Sequence, residues 1–343
     1  MNANKEIFPL AYSVVDSENS NSWSWFLHLL ATTFFANGES ICIISDRHRG
    51  IDATFNNLPE LQHVHRRCCL RHLRSNVMTQ FRNKRLKSLV WEASSSVKQR
   101  DFDLAMKTIQ EIFPDAYQYL GEIPPKYWAL SHDGGHRFGI LTTNSSESFN
   151  NTLKGCRMLP VTAIARLTFH KLVAMFQNRR SAGEIMQQAR LRWPTNINKQ
   201  MSDRERFKYN ASIRAYNNQR GIYEVALEST SSSLGQPRYV KVNLTDWTCS
   251  CGRWAVDGLP CAHVISACHY RGTVPDSFVP KVFSLEYYIG SYAEDLNPLP
   301  DDEVQLTTMV TCLPPFGARR KAHRGQQRRS RFPNEMDFGS HRR

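Results

Sequence analysis

The sequence predicts an α/β domain followed by a small ββα module, and three patterns support this prediction. A strand, a helix and a second strand follow one another over residues 7–45, which is the order of an α/β layer. Helical spacing then continues over residues 86–113. Strand alternation returns near residue 221 and is followed by a cysteine-rich segment and a helix. With 343 residues, the chain is long enough for about two domains.

The α/β domain begins with a predicted strand at residues 7–15 (IFPLAYSVV), because this run is apolar and rich in β-forming residues. A helix is expected over residues 23–35, with serines before it that can cap its first turn. Residues 41–44 (ICII) form the next predicted strand. A further short strand is expected to end near Val64, so the α/β order continues.

Helices are expected through the middle of the chain. Two apolar faces repeat there with a helical period, and the prolines at 124–125 end the pattern. The two faces consist of Leu86, Leu89, Val90, Ala93 and Val97, and of Phe102, Ala105, Ile109, Ile112 and Phe113. A short helix is expected over residues 146–153, and a longer helix is expected to begin after Pro160.

The C-terminal module begins with a predicted hairpin. Residues 223–227 and 239–244 alternate like strands, and the segment 229–237, rich in Ser, Gly and Pro, joins them. A helix is expected to start near Val264. Residues 284–303 carry six acids and no bases, and they predict a weakly ordered acidic connector.

Positive charge is concentrated in three blocks. The chain has 44 Lys and Arg against 31 Asp and Glu, a net charge of +13. Residues 65–87 carry eight bases and no acid, residues 166–220 twelve bases and three acids, and residues 317–343 nine bases and two acids. Clustered positive charge attracts a polyanion, and duplex DNA is the partner that we expect. The alternative is that the first two blocks are solvated helix faces.

The block at residues 317–343 is too polar to fold by itself. Its bases lie among Gly, Gln and Ser, so we expect a disordered arm or a nuclear localisation signal. The first nine residues lack a basic start, an apolar stretch and a cleavage site, and no uncharged apolar run approaches the ~18 residues of a membrane helix. The sequence therefore predicts a nuclear protein without membrane attachment, and it argues against a secreted or fibrous one.

Three cysteines and a histidine follow the hairpin with the spacing of a metal site. Cys249, Cys251, Cys261 and His263 form a C-x-C…C-x-H pattern. Three thiolates and an imidazole match the tetrahedral preference of Zn²⁺, and because protein fills all four positions, we expect one structural zinc ion per chain. The alternative is that these thiols only pack in the core, as we expect for the nearby Cys268. The odd total of nine cysteines and the lack of a signal peptide favour reduced thiols over disulfides.

The same segment resembles a known zinc-finger family. Residues 247–267 (WTCSCGRWAVDGLPCAHVISA) resemble the SWIM zinc finger, and the four ligands of that family fall on the four residues just named. The resemblance implies binding to DNA or to a protein partner at the zinc finger. It adds no catalytic role.

Upstream, four stretches resemble the transposase of plant Mutator-like elements (MULE). They are residues 7–27 (IFPLAYSVVDSENSNSWSWFL), 41–51 (ICIISDRHRGI), 69–73 (CLRHL) and 142–161 (TTNSSESFNNTLKGCRMLPV). The resemblance implies a ribonuclease H-like core with a helical insertion. It also implies a site in which three carboxylates hold two divalent metal ions for phosphodiester transfer.

The resemblance assigns the remnant of that site to particular residues. The second carboxylate falls on Asp46, directly after a predicted strand, and the third falls on Glu147. Cys69 and His72 match a C-x-x-H motif that is typical of these transposases, and core packing is the alternative for this pair. For Glu147 the alternative is a carboxylate on a helix surface. Mg²⁺ is expected only if the site is completed.

The departure from the family concerns the first carboxylate, which lies upstream of the strand matched by residues 7–15. The predicted α/β domain is therefore an incomplete ribonuclease H-like core, and we expect a DNA-associated or regulatory protein that is not catalytic on its own. One alternative is an active transposase whose true N-terminus is missing from this sequence. Another is a protein-interaction module without DNA binding.

These patterns divide the chain into five predicted parts. They are a partial MULE transposase domain at 1–180 with a helical insertion at about 75–140, a basic helical connector at 181–220, a SWIM zinc finger at 221–275, an acidic connector at 276–316 and a disordered basic tail at 317–343.

Overall fold

The computed structural model describes residues 1–35, 41–143, 149–150, 153, 159–228 and 238–299. It begins with an α/β unit of four elements, which are α1 (Ser20–Phe34), β1 (Cys42–Ser45), α2 (Arg49–Asn57) and β2 (His65–Cys68). The two strands run parallel, with Ile43 opposite Arg66, and α2 connects them. The predicted order of helix and strand at 23–44 is confirmed. The further short strand that was expected to end near Val64 instead begins after it, as β2. The ribonuclease H-like core stays a prediction.

A helical layer follows, made of α3 (Leu70–Phe81), α4 (Lys84–Ser95), α5 (Gln99–Ile112) and α6 (Pro114–Gly121). Eight of the ten residues of the predicted apolar faces belong to one core or pack against it, because residues spaced three and four apart lie on the same side of a helix. The prediction is wrong for Ile112, which is exposed, and for Val97, which follows α4. The buried members of this core include Leu73, Leu86, Val90, Ala93, Phe102, Ile109, Leu120 and Trp128. The helical prediction for residues 86–113 is confirmed.

Buried ion pairs hold the loop that follows α6. Asp133 is almost fully buried, and its Oδ1 lies 2.5 Å from Nε of Arg67 and 3.3 Å from Nε of Arg137. Arg137 also donates from Nη1 to the carbonyl oxygen of Cys68 at 3.2 Å. Because this one carboxylate forms ion pairs with two buried guanidinium groups, the network connects β2 to the loop at residues 127–139.

Two more helices lead to the C-terminal module. They are α7 (Val161–Gln188) and α8 (Thr195–Glu205). The long helix predicted after Pro160 is confirmed, whereas most of the short helix predicted at 146–153 lies outside the described residues. None of the described helices is long and apolar enough to cross a bilayer.

The C-terminal module contains a four-stranded antiparallel sheet in the order β3 (Ala211–Asn217), β4 (Ile222–Leu227), β5 (Val240–Asn243) and β6 (Thr248–Cys249). The register of β4 and β5 confirms the predicted hairpin. The expectation of a helical connector is wrong for β3. Its first four residues alternate between half-buried and exposed, which is the period of a strand paired to a sheet edge.

Two helices complete the module, α9 (Arg253–Asp257) and α10 (Ala262–Arg271). The inner face of the sheet packs on α10 and forms a separate core. Its buried members include Tyr223, Val225, Val240, Val242, Val264, Ala267 and Cys268. Cys268 is thus a buried helix thiol, as predicted.

The expected acidic connector is partly folded. Helix α11 (Leu285–Gly290) packs on α7, and the side chains of Tyr288 and Tyr292 are buried there. The prediction of weak order is therefore wrong for this stretch, because its apolar residues recur with helical spacing between the acids. Residues 300–316 of the connector and residues 317–343 of the tail lie outside the described part of the chain.

The strand predicted at residues 7–15 is absent from the described structure. These residues join neither sheet, and Leu10, Tyr12 and Val14 are exposed. Phe8 packs instead on the rings of Phe176 and Tyr292, at 5.3 and 5.5 Å between centroids. A β-rich sequence becomes a strand only where a sheet edge supplies hydrogen-bond partners, and the β1–β2 pair does not meet this segment.

Candidate metal centre

Short-range backbone geometry positions the four predicted ligands. Cys249 ends β6, and Cys251 follows it through a tight turn in which the N–H of Gly252 donates to the Cys249 carbonyl oxygen at 2.8 Å. Gly252 has φ of 77°, a left-handed conformation that glycine adopts without strain. Cys261 is the N-cap residue of α10, and His263 lies in the first turn of that helix.

The four side chains converge on one point. The Sγ atoms of Cys249 and Cys251 are 3.3 Å apart, those of Cys251 and Cys261 are 3.6 Å apart, and Nδ1 of His263 lies 3.8 Å from Sγ of Cys261. In a tetrahedral zinc site, neighbouring donor atoms are roughly 3.5–3.8 Å apart. All four donors lie within 4.8 Å of one another. The side chains therefore fit the donor set and spacing of Zn²⁺.

The thiols of the cluster differ in pKa. The pKa of Cys251 lies well below its usual range, because its sulfur forms hydrogen bonds with Cys249 and Cys261. The same contact with Cys251, aided by burial, raises the pKa of Cys249 to about 12. The thiolate is the form of cysteine that binds a metal, and a divalent cation at this cluster would stabilise it.

Hydrogen bonds outside the cluster fix the first pair of ligands. Ser250 lies between the two cysteines, and its N–H donates to the Lys241 carbonyl oxygen at 2.8 Å. In return, the N–H of Lys241 donates to Oγ of Ser250 at 2.9 Å. These two bonds join the ligand turn to β5, so the sheet positions the first two sulfurs.

Arg204 on α8 supports the second pair. Its Nη1 donates to the carbonyl oxygens of Leu259 and Pro260, at 3.1 and 2.9 Å, directly before Cys261. Its Nη2 lies 2.6 Å from Oδ2 of Asp257. In the sequence, Arg204 is one of the bases of the charged block at 166–220, and no local motif distinguishes it from its neighbours.

The transposase-like residues lie elsewhere, at the carboxyl ends of β1 and β2. Asp46 follows β1, and its Oδ1 accepts a hydrogen bond from the backbone N–H of His48 at 3.3 Å. Cys69 follows β2, and its N–H donates to the Ser45 carbonyl oxygen at 2.6 Å. The parallel strands therefore bring Asp46 and Cys69 to one edge. Glu147 lies outside the described residues.

Cys69 and His72 interact across the first turn of α3. Cys69 precedes the helix, and its sulfur accepts hydrogen bonds from N and Oγ1 of Thr143 at 3.3 and 3.2 Å. Burial raises the pKa of the Cys69 thiol, but hydrogen bonds from His72 and Thr143 outweigh burial and lower this pKa to about 7. Among the described residues, no cluster of three metal-ligating side chains includes Asp46 or this pair.

Comparisons with known proteins agree with both resemblances. Residues 1–76 match the family model of the MULE transposase domain, and residues 233–272 match that of the SWIM zinc finger. The second match contains all four residues of the metal cluster. The searches of curated proteins and of solved structures gave no match. The two domain matches support a transposase-derived, zinc-binding protein.

Proposed function

We propose that this chain is a nuclear, DNA-associated protein that holds one structural zinc ion and does not cleave DNA by itself. The observation that carries the DNA-binding part is a group of uncompensated bases at the corner between α3 and α4. This basic corner consists of Arg82, Lys84, Arg85 and Lys87. Arg82, Lys84 and Arg85 are exposed, and none of the four forms an ion pair with an acid in the described part of the chain.

The other described bases of the charged blocks are largely engaged in internal ion pairs. In the block at 65–87, Arg66 pairs with Asp52, and Arg67 pairs with Asp133. In the block at 166–220, seven bases have carboxylate partners among the described residues. These bases are Arg179, Arg180, Arg192, Arg204, Arg206, Lys208 and Arg214. Positive charge available to phosphates is thus concentrated at the basic corner rather than along α7 and α8.

The basic corner is unfavourable for the helix that contains it. Lys84, Arg85 and Lys87 occupy the first turn of α4, which contains no acid. The helix dipole disfavours cations at this end by about 0.3–1 kcal/mol each. A DNA phosphate beside these side chains would neutralise their repulsion with the helix dipole, and its binding would release counterions. Bound DNA therefore offsets the helix destabilisation that these bases cause in the free protein.

Duplex binding at different salt concentrations tests this proposal. The variant Lys84→Ala/Arg85→Ala is compared with Arg100→Ala/Lys107→Ala, which removes the same charge from α5. Each lost phosphate contact should reduce the slope of log K against log salt by about 0.9, so the first variant should lose about 2 in slope. The second variant should behave like the unmodified protein. A flat salt response, or equal effects of both variants, would contradict the proposal and favour a protein-interaction module.

The absence of cleavage is proposed from the residues at the strand ends. Two-metal phosphodiester cleavage uses several carboxylates, whereas β1 and β2 are followed by Asp46 and Cys69. We expect no magnesium-dependent nicking of supercoiled DNA by the purified chain. Nicking that is lost in Asp46→Ala would contradict this expectation and favour an active transposase.

The nuclear location is proposed from the bases at 317–343. A fluorescent fusion of the full chain should accumulate in the nucleus. Replacing Arg319, Arg320 and Lys321 by alanine together with Arg328 and Arg329 should redistribute it to the cytoplasm. Unchanged nuclear accumulation of this variant would contradict the assignment of the signal to this segment.

A further inference from the structure

The sheet of the C-terminal module has two faces of opposite character. The inner face packs on α10, while alternate residues of β3, β4 and β5 point outward. The residues that matter here are Arg214, Tyr216, Glu224, Lys241 and Tyr239, the last directly before β5, and we call them the outer face. Register places Arg214 opposite Glu224 and Glu224 opposite Lys241, so one row crosses three strands.

Aromatic rings and a guanidinium group lie together on the outer face. Tyr216 is 65% exposed. The guanidinium of Arg214 lies 3.9 Å from the centroid of the Tyr239 ring, which is a stacking contact. The hydroxyl of Tyr216 donates to Oε2 of Glu224 at 3.1 Å, and the same carboxylate is 3.8 Å from Nη1 of Arg214. These contacts hold planar groups at the surface, where a ligand can reach them.

We propose that the outer face binds single-stranded nucleic acid, with a base stacked on Tyr216, a second base on the Arg214–Tyr239 pair and phosphates beside Lys241 and the neighbouring Arg238. The inference rests on the proposed nucleic-acid role but uses residues distinct from the basic corner. Base stacking on aromatic side chains contributes about 1–3 kcal/mol per base and tolerates any sequence.

The shape of the sheet favours a single strand over a duplex. Four strands about 4.8 Å apart place β3 and β6 roughly 14 Å from each other. The major groove is about 12 Å wide and admits a helix or a two-stranded ribbon, so the four strands of this sheet do not fit into it side by side. In a duplex the base faces are also covered by their neighbours, whereas an unpaired strand presents them to aromatic rings.

Charge on the outer face agrees with a phosphate-bearing ligand. The bases Arg214 and Lys241 lie on either side of the single acid of the row, Glu224. Arg238 adds an exposed base next to Tyr239. A negatively charged strand is therefore attracted to the same surface on which its bases can stack.

Fluorescence anisotropy with the full, zinc-loaded chain tests the inference. The probes are labelled DNA and RNA oligonucleotides of about 12 nucleotides, a length within the usual site size for such surfaces. Tyr216→Ala should weaken binding by about 5- to 100-fold, and Tyr216→Phe should bind within about twofold of the unmodified chain, because it keeps the ring. The matched control is Tyr287→Ala on α11, where the tyrosine is 53% exposed, and it should have no effect. Comparing the DNA and RNA arms identifies which nucleic acid the face prefers.

Three results would overturn the inference. They are an affinity of Tyr216→Ala equal to that of the unmodified chain, equally tight binding of an abasic oligonucleotide, or no binding of either probe. The proposed duplex function is tested separately by the Lys84→Ala/Arg85→Ala variant. If that variant weakens duplex binding while Tyr216→Ala changes nothing, the inference fails and the proposed function stands. If instead Tyr216→Ala weakens single-strand binding while Lys84→Ala/Arg85→Ala leaves duplex binding unchanged, the proposal for the basic corner fails and the inference for the outer face stands.

Discussion

Arg204 and Asp257 form an ion pair of 2.6 Å that joins α8 to the metal centre. Only 19% of the arginine side chain and 16% of the aspartate side chain are exposed, so the pair is largely desolvated. The same guanidinium also donates to the carbonyl oxygens of Leu259 and Pro260. One side chain therefore fixes both ends of the turn that returns the chain to Cys261.

Replacement of this arginine should destabilise the folded protein. Arg204→Ala leaves the Asp257 carboxylate and two carbonyl oxygens without their donor, and we expect a loss of about 2–4 kcal/mol in the free energy of unfolding. Arg206→Ala is the matched control, because its side chain is 78% exposed and should contribute less than about 1 kcal/mol. Urea denaturation at saturating zinc measures both. Equal losses in the two variants would show that the contacts of Arg204 contribute nothing specific.

Metal removal should unfold the ligand turns. The purified chain is expected to contain about one zinc ion, and Cys261→Ser or a chelator should remove it. Protection of backbone amides from hydrogen exchange should then fall in β6, α9 and α10. Cys268→Ala removes a buried thiol of the same core without removing a ligand, so it should retain the metal. A chelated protein with unchanged amide protection would contradict a structural role for zinc.

Gly252 lies where the metal centre meets the helical layer, and substitution there should be costly. A Cβ at this position would clash with Cγ1 of Val97, in the turn between α4 and α5, and φ is 77°. Gly252→Ala should therefore add a steric clash to backbone strain and destabilise the protein by about 2–4 kcal/mol. Gly272→Ala is the control, because φ there is 75° and a Cβ would meet nothing within 4 Å. Gly272→Ala should therefore lose only the contribution of backbone strain, about 1 kcal/mol in the free energy of unfolding.

A double substitution separates the two contributions. Val97→Ala in the Gly252→Ala background should recover the part of the loss caused by the clash, and the non-additive energy in a denaturation cycle measures it. The same Val97→Ala change should recover nothing in the Gly272→Ala background. Additive losses in both backgrounds would contradict a direct contact between the metal centre and the helical layer.

The parts of the structure that depend on short-range spacing could be predicted from the sequence. The hairpin of β4 and β5 depends on residues within about twenty positions of one another. The C-x-C pair lies in a tight turn, and the C-x-H pair lies at the start of a helix. Local geometry therefore brings the two ligands of each pair together. The apolar faces of α4 and α5 repeat with a helical period, which depends only on residues three and four positions apart.

The remaining features depend on contacts between distant residues. Residues 7–15 have strand propensity, but propensity does not supply a neighbouring strand. Acids among the aromatic residues of α11 obscured its helical period, although Tyr288 and Tyr292 anchor it to α7. Ion pairs cancel most of the charge of the block at 166–220, and the partner acids, such as Glu6 and Asp295, lie far away in sequence. A count of bases cannot reveal this cancellation.

Acidic pH should weaken the contact between β2 and the loop at residues 134–139. The rings of His65 and His136 stack with 3.4 Å between centroids. Burial lowers the pKa of His65, and the neighbouring charges of His136 and Arg67 lower it further. The folded protein thus disfavours protonated His65, whereas the unfolded chain protonates this residue near pH 6.5, about its ordinary pKa. The contribution of His65 to stability is therefore fully present above about pH 6.5 and decreases as the pH falls through this value.

The variant His65→Gln isolates this contribution. Ligand protonation at the metal centre affects the variant and the unmodified protein equally, so only the difference between their free energies of unfolding is interpreted. Relative to the variant, the unmodified protein should lose stability between about pH 7.5 and about pH 5.5. His63→Gln is the matched control, because it replaces an exposed histidine only two residues away. A constant difference between the unmodified protein and His65→Gln across this range would contradict the assignment, because the stacked ring would then not resist protonation.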